Sequence, residues 1–369
     1  MNLLRKFAIA AIVIGLATSS ASPQLPPAPT CAQSPGITES GALRVPPKPP
    51  DAPARWKPLI GRYDGSGMVI HILERCGTLS ASEDSVRYHR LDELSGDSFR
   101  STPALMGNAE VRVTRDHARV TQLHVGNLTF QHTFGEDTFK SFRMAPLRPT
   151  EELRKEALAA QPPKETGKRA PDLVELIALD PTIKLEIRYA TANNFMGTPF
   201  YTEARAFLQR PAAESLVRAH RNLKTYGYGL LIHDAYRPWY VTKMFWDATP
   251  ADKKDFVADP AKGSNHNRGG AVDLSIYELA TGLPVRMPGG YDEMSDRSHA
   301  DYPGGSSLQR WHRDLLRAAM ESEDFKVFKL EWWHFDHRDY KAYPVLNVPF
   351  SKISSSSKTV SNSSETNGR

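Results

Sequence analysis

The sequence predicts an α+β fold preceded by a small antiparallel β unit, and three features carry that expectation. Short β-rich runs separated by Gly, Asp, Asn and Ser fill residues from about 54 to 146. From about residue 172 to 350, amphipathic helical patterns alternate with short apolar strands. Two proline-containing stretches, 22–53 and 147–171, set these blocks apart and read as linkers. A chain of 369 residues has room for two such units. With 40% hydrophobic and 24% charged residues it is globular in composition, which excludes a wholly disordered chain, a collagen-like fibre and a polytopic membrane protein. The formal charge of +5, two fewer without Arg5 and Lys6, gives no reason to invoke nucleic acid.

The elements follow in order. Arg5-Lys6, the uncharged apolar run Phe7–Ala17 and the small residues Ser19 and Ala21 form a secretory signal over residues 1–21. The apolar run is too short to span a bilayer, which takes about 20 residues. Cleavage would leave an exported protein, periplasmic or secreted, with no membrane span. Two cysteines cannot build a disulfide framework or a Cys-rich zinc site; a Cys31–Cys76 bridge would suit an oxidising compartment, though their spacing does not call for it. Ten prolines between Ser22 and Pro53 describe an extended tether that joins neither sheet nor helix. In the next block Met68–Leu73, Val86–Leu91, Glu110–Thr114 and Val120–His124 read as strands, with Val111 and Val113 alternating against Arg112 and Thr114. Gly126-Asn127 is placed for a hairpin turn. The stretch from Leu59 to Phe130 is similar to the lipocalin-like domains appended to some bacterial hydrolases.

Pro149–Pro171 is a charged linker, helical over Glu151–Ala160. Leu216, Val217, His220 and Leu223 share a helix face, and Leu308, Trp311, Leu315 and Ala319 another. Trp239–Ala248 is a third helix; Tyr228–His233, Ala271–Ile276 and Phe325–Phe335 are strands of a mainly antiparallel sheet. The tail from Ser351, with eight serines in nineteen residues, is expected to be disordered.

Two polar clusters stand out. In Ser264-Asn265-His266-Asn267-Arg268-Gly269-Gly270-Ala271-Val272-Asp273, strand alternation puts Val272 and Leu274 on one face and Asp273 on the other. The glycine pair lets the loop fold back so that His266 meets Asp273. The second cluster is Glu331-Trp332-Trp333-His334, whose ends share a side only where the strand stops or bulges. Each has a bland alternative, a loop histidine with a backbone-capping Asp, or a surface Glu beside an aromatic plug. Together they offer two imidazoles, one carboxylate and a spare Glu. That is a Zn²⁺ tripod with an open fourth position, beside a base able to take the proton of an activated water.

The combination Ser264-x-His266-x-Arg268-Gly269-x-Ala271-x-Asp273 with Glu331-Trp332-Trp333-His334 resembles the D-alanyl-D-alanine dipeptidases, the VanX-type branch of the zinc D,D-peptidases. Ile187-Arg188-Tyr189-Ala190-Thr191, Asn194-Phe195, Asp234-Ala235-Tyr236-Arg237-Pro238, Tyr291-Asp292-Glu293-Met294 and Arg297-Ser298-His299 agree in order, over residues 172–348. The resemblance implies a hedgehog/D,D-peptidase type of fold and one Zn²⁺ held by His266, Asp273 and His334. It implies Glu331 as catalytic base and Arg237 as the group that steadies the anionic intermediate. Tyr189, Ser264 and Asp292 would hold the dipeptide ends, Asp292 through the free α-ammonium. His299 and His337 are read as structural, and His233 departs from the apolar residue common before Asp234.

The expected activity is hydrolysis of D-Ala-D-Ala. A D,D-carboxypeptidase or endopeptidase acting on peptidoglycan stem peptides shares the same chemistry. A zinc-stabilised binding module without turnover is the reading from another class, against which Glu331 speaks. The partner expected is a small dipeptide, with cell-wall contact through the β unit a further expectation.

Overall fold

The computed structural model describes residues 33–135 and 143–354. The signal segment, Cys31 and the serine-rich tail beyond Ser354 lie outside the described residues; Cys76 is not a free thiol.

The described chain opens with a two-stranded ladder, β1 (Gly36–Ile37) on β2 (Leu43–Arg44). This departs from the tether expected of 22–53. The ten residues between Pro35 and Pro46 contain no proline. Thr38 closes a turn there, accepting the Ala42 N–H, and Gly41 takes a left-handed φ of 85°.

Eight antiparallel strands follow: β3 (Gly61–Gly65), β4 (Met68–Arg75), β5 (Thr78–Ser82), β6 (His89–Ser95), β7 (Ser98–Leu105), β8 (Asn108–Asp116), β9 (Arg119–Val125) and β10 (Leu128–Gly135). Each pairs with the next, and β10 returns to β3 to close a barrel. Closure removes the free edges. Val111 and Val113 face in while Arg112 and Thr114 face out, and Gly126-Asn127 forms the two-residue hairpin loop. The expected strand over Val86–Leu91 begins only at His89, because Asp84 caps a turn there through the N–H groups of Val86 and Arg87. Tyr63, Ile70, Ile72, Phe99 and Phe130 fill the interior, so the barrel has a packed core.

The second half is mixed α/β. In order it contains α1 (Thr150–Ala159), β11 (Leu173–Glu175), α2 (Leu176–Leu179), β12 (Lys184–Leu185), β13 (Phe207–Gln209), α3 (Arg210–Lys224), β14 (Tyr228–Asp234), α4 (Trp239–Ala248), β15 (Ala271–Glu278), α5 (Ser307–Glu321), β16 (Phe325–Phe328) and β17 (Glu331–His337). The central sheet runs β12-β14-β15-β17-β16, antiparallel except for β12 on β14. Helices α3 and α5 lay apolar stripes on it, Leu216 and Leu223 from one and Leu315 and Ala319 from the other. The expected linker over 147–171 is instead part of this body. Leu153 and Ala157 of α1 are fully buried, and Glu165 forks onto Arg268.

Candidate active site

The strand ends of the central sheet build the site. His266 sits on a 3-10 turn closed by Gly269, whose φ of 67° is left-handed. At Gly270 a Cβ would lie 2.4 Å from Tyr340, so glycine lets the turn fold tightly against the sheet. Asp273 lies opposite His334 on the neighbouring strand. Pairing of β16 with β17 slips between Val327 and Phe328, where Phe328 faces Glu331. That irregularity puts Glu331 on the side of His334, with Oε2 3.8 Å from its Nδ1. A second bulge at His233 lets Asp234 pair with Asp273 at the end of β14.

Tyr189, Arg237, Ser264, His266, Asp273, Asp292, Glu331 and His334 all line one cleft of about 350 Å³. The eight candidate site residues are therefore brought together, while His233, His299 and His337 do not line the cleft. Phe195, Phe245, Met294, Phe328 and Trp333 supply its apolar walls.

The donor atoms of His266, Asp273 and His334 lie within 4.8 Å of one another. His266 Nδ1 is 2.7 Å from the Ala235 carbonyl, which can only accept, so the proton is on Nδ1 and Nε2 carries a lone pair. His334 Nε2 is 3.1 Å from Asp336 Oδ1, which by the same argument leaves the Nδ1 lone pair of a neutral ring facing inward. Nδ1 lies 2.9 Å from Asp273 Oδ1, and His266 Nε2 lies 3.4 Å from the same oxygen. Three electron pairs thus converge on one point, an arrangement that a cation relieves. The residues fit a metal ion of the N/O-liganded kind. The carboxylates around the rings draw positive charge to the same point, as a proton or as a cation. Burial works against charge on the His334 ring, but hydrogen bonds to Asp273 and Asp336 outweigh it and raise its pKa well above the usual imidazole range. Burial likewise opposes ionised Asp273, yet His266 and His334 hold its carboxyl far down.

The rest of the cleft is strongly polarised. Glu331, about a third exposed, has its carboxyl pushed up by burial and, against the pull of His334, by the charge of Asp273. Arg237 Nε and Nη2 both donate to Asp234 Oδ2, at 3.0 and 2.7 Å, and its Nη1 has no hydrogen-bond partner among the described residues. Asp234 is fully buried and also accepts from Tyr201 Oη at 2.6 Å. Asp292 is 6% exposed, with a left-handed φ of 55°, and accepts from Tyr189 Oη at 3.0 Å. Burial first, then the charges of Asp273 and Glu331, push its carboxyl well above the usual range. Ser264 Oγ accepts the His266 N–H at 3.3 Å.

Three supporting residues were given no role from the sequence, although Asp234 and Tyr291 stand inside motifs named there. Tyr291 Oη donates to Asp273 Oδ2 at 3.1 Å, Asp336 orients His334, and Asp234 holds Arg237. Only Asp336 carried a local signal, since residues two apart on a strand share a face.

A His–Asp–His donor set beside a free carboxylate, at the floor of a cleft, is the arrangement of a metal-dependent hydrolase. The model of the peptidase M15 family, described as D-Ala-D-Ala dipeptidase, matches residues 169–356. The D-alanyl-D-alanine dipeptidase of Escherichia coli K12 is 37% identical over 180 residues, which are 49% of this chain and 92% of that protein. The proteins of the same name from Enterococcus faecium and Streptomyces coelicolor are 36% and 32% identical, over 44% and 42% of this chain and 89% and 85% of their own. The chain belongs to this D-Ala-D-Ala dipeptidase family and is a metallopeptidase. The matched stretch begins after the barrel.

Proposed function

We infer that the protein is a zinc-dependent dipeptidase that hydrolyses D-Ala-D-Ala outside the cytoplasm, on a hedgehog/D,D-peptidase type of fold. The observation that carries this reading is Asp292. It is a buried carboxylate on the cleft wall whose hydrogen-bond partner is a neutral hydroxyl and whose charged neighbours include the anionic Asp273 and Glu331. Such a group calls for a cation, and the free α-ammonium of a dipeptide supplies one. The names of the relatives supply the substrate. The charged and apolar segments at the N-terminus support export.

His266, Asp273 and His334 would hold the ion, which when bound supplies a Lewis acid able to lower a water's pKa to about 7. Glu331 takes the proton of the attacking water and passes it to the leaving amine. Arg237, steadied by Asp234, offers Nη1 to the oxygen that gains negative charge. Asp292 and Tyr189 grip the amino end, and Ser264 lies where the hydroxyl can meet the other end.

Full-length protein loaded with zinc should hydrolyse D-Ala-D-Ala and act poorly on L-Ala-L-Ala, N-acetyl-D-Ala-D-Ala and a pentapeptide stem. Comparable turnover of the pentapeptide would transfer the assignment to a D,D-carboxypeptidase. Bound zinc without turnover of any peptide would leave a binding module.

A further inference from the structure

The family match accounts for residues 169–356 and leaves the barrel without a role. Among the described residues, hydrogen bonds and ion pairs from the barrel to the peptidase half fall on one short stretch, 296–310. Glu74, 3% exposed at the end of β4, accepts the Ser307 N–H at 2.6 Å and the Ser307 hydroxyl at 3.1 Å. It therefore places a carboxylate on the first turn of α5, where the helix dipole and unpaired N–H groups favour a negative charge. Its own N–H bonds the Gly305 carbonyl, and Arg310 Nη2 returns to the Glu74 carbonyl at 2.8 Å. Leu73 and Gly305 form a parallel bridge. A second group lies one turn of chain earlier. Arg62 of β3 pairs with Asp296 at 2.9 Å, and His71 of β4 reaches the Tyr302 hydroxyl at 3.1 Å.

The same stretch carries Asp292. Its neighbour Glu293 is buried, accepts the Gly290 N–H at 2.8 Å and faces Arg297 Nε at 3.2 Å. Arg297 in turn donates to the Pro288 carbonyl and to the carbonyl of Gly135, the last residue of β10. Asp292 itself has a left-handed φ, and a non-glycine residue stays in that conformation only where its surroundings hold it there. The chain that follows Asp292 is fastened to the barrel in succession, at Asp296, at Arg297 through the Gly135 carbonyl, at Tyr302 and at Ser307.

A plain spacer would not need to bury a glutamate against the loop that forms the cleft wall, nor to share a half-buried arginine between its own Asp64 and Asp296 of that loop. We propose that the barrel is an intramolecular clamp on the 288–307 loop, with Arg62 and Glu74 as positioning residues that keep Asp292 in its substrate-binding conformation. The inference takes the role of Asp292 from the dipeptidase reading; the clamp itself does not depend on it.

The test uses R62A and E74A in the full-length, zinc-loaded protein. If a freed loop leaves Asp292 in place about a tenth of the time, apparent affinity falls about tenfold. The expected result is a KM for D-Ala-D-Ala raised by about that factor, with kcat within about twofold and zinc content unchanged. R62K, which keeps the charge toward Asp296, should recover most of the loss. In a D292N background R62A should add little, because its effect runs through Asp292. Amide exchange should quicken over residues 289–306 in R62A and E74A, while β14 and β15 stay protected. Unchanged exchange in both variants, or KM effects of R62A and D292N that simply multiply, would overturn the clamp. A wild-type protein inactive on D-Ala-D-Ala would instead overturn the substrate reading, and the exchange comparison would still judge the clamp.

Discussion

His266 Nε2 and His334 Nδ1 lie 3.2 Å apart, and the opposite nitrogen of each ring is already committed, to the Ala235 carbonyl and to Asp336. The pair is preset to offer two lone pairs to one ion. H334A removes one of three donors and should abolish both zinc binding and turnover, measured by metal content after dialysis and by D-Ala-D-Ala hydrolysis. Barrel strands should keep their amide protection. Full zinc occupancy in H334A would refute the ligand set.

Glu331 stands beside this pair without being needed as a donor. Changing it to Gln keeps the shape and removes the basicity, so zinc content should hold while kcat falls by about 10²–10⁴-fold, the usual worth of general acid–base assistance. Near-normal kcat in the zinc-loaded variant would move the base to another residue.

How much of this was legible beforehand differs from residue to residue. Asp273 announced itself by strand alternation, as a carboxylate between Val272 and Leu274. Glu331 and His334 could be joined only by assuming a break in the strand, and the slip at Phe328 provides it. Tyr291 gave no such sign, because its bond to Asp273 spans 18 residues and depends on how the loop turns. The barrel's hold on Ser307 spans 233 residues and left no local trace. Proline counting misled over 36–45, a proline-free decapeptide in which a turn forms, while residues 22–32 of the expected tether lie outside the described residues.

Acid should destabilise the fold through its buried neutral histidines. Burial pushes His220 down to about 4. Its Nδ1 accepts the Leu230 N–H and its Nε2 lies 2.8 Å from Thr182 Oγ1, so a second proton has no place without breaking a backbone contact. Burial also lowers His312 to about 4 and His233 to about 3. Unfolded histidines titrate near about 6.5. Below that pH the unfolded chain binds more protons than the folded one, so stability is present above about 6.5 and is lost as pH falls toward 4. Urea midpoints should drop between pH 6.5 and 4.5, less steeply in H220Q. Equal slopes in the two proteins would show that His220 takes no part.

Arg237 is fixed by Asp234 before any substrate arrives, so the proposed reading makes its contribution electrostatic and preorganised. Since its opposing charge grows only as the carbonyl is attacked, R237A should lower kcat far more than it raises KM. A pure KM effect would make Arg237 an anchor for the substrate carboxylate instead.

On the dipeptidase reading, Asp292 should decide substrate length. Buried against a neutral hydroxyl and two anionic neighbours, its carboxyl is pushed toward the protonated form, and a bound α-ammonium reverses that by supplying the missing charge. An N-acylated dipeptide brings a neutral amide, so the carboxyl stays protonated and the charge-assisted pair does not form. Losing one partner of a buried pair typically costs about 3–5 kcal/mol, and each ~1.4 kcal/mol is a factor of ten. D-Ala-D-Ala should therefore exceed N-acetyl-D-Ala-D-Ala by two orders of magnitude or more in kcat/KM. D292N removes the charge while keeping an acceptor, so it should depress the free dipeptide most and narrow that ratio. The measurement is kcat/KM on both substrates for wild type and D292N, at equal zinc loading. A ratio unchanged by D292N would mean that chain length is judged elsewhere in the cleft, with the ammonium held by another group.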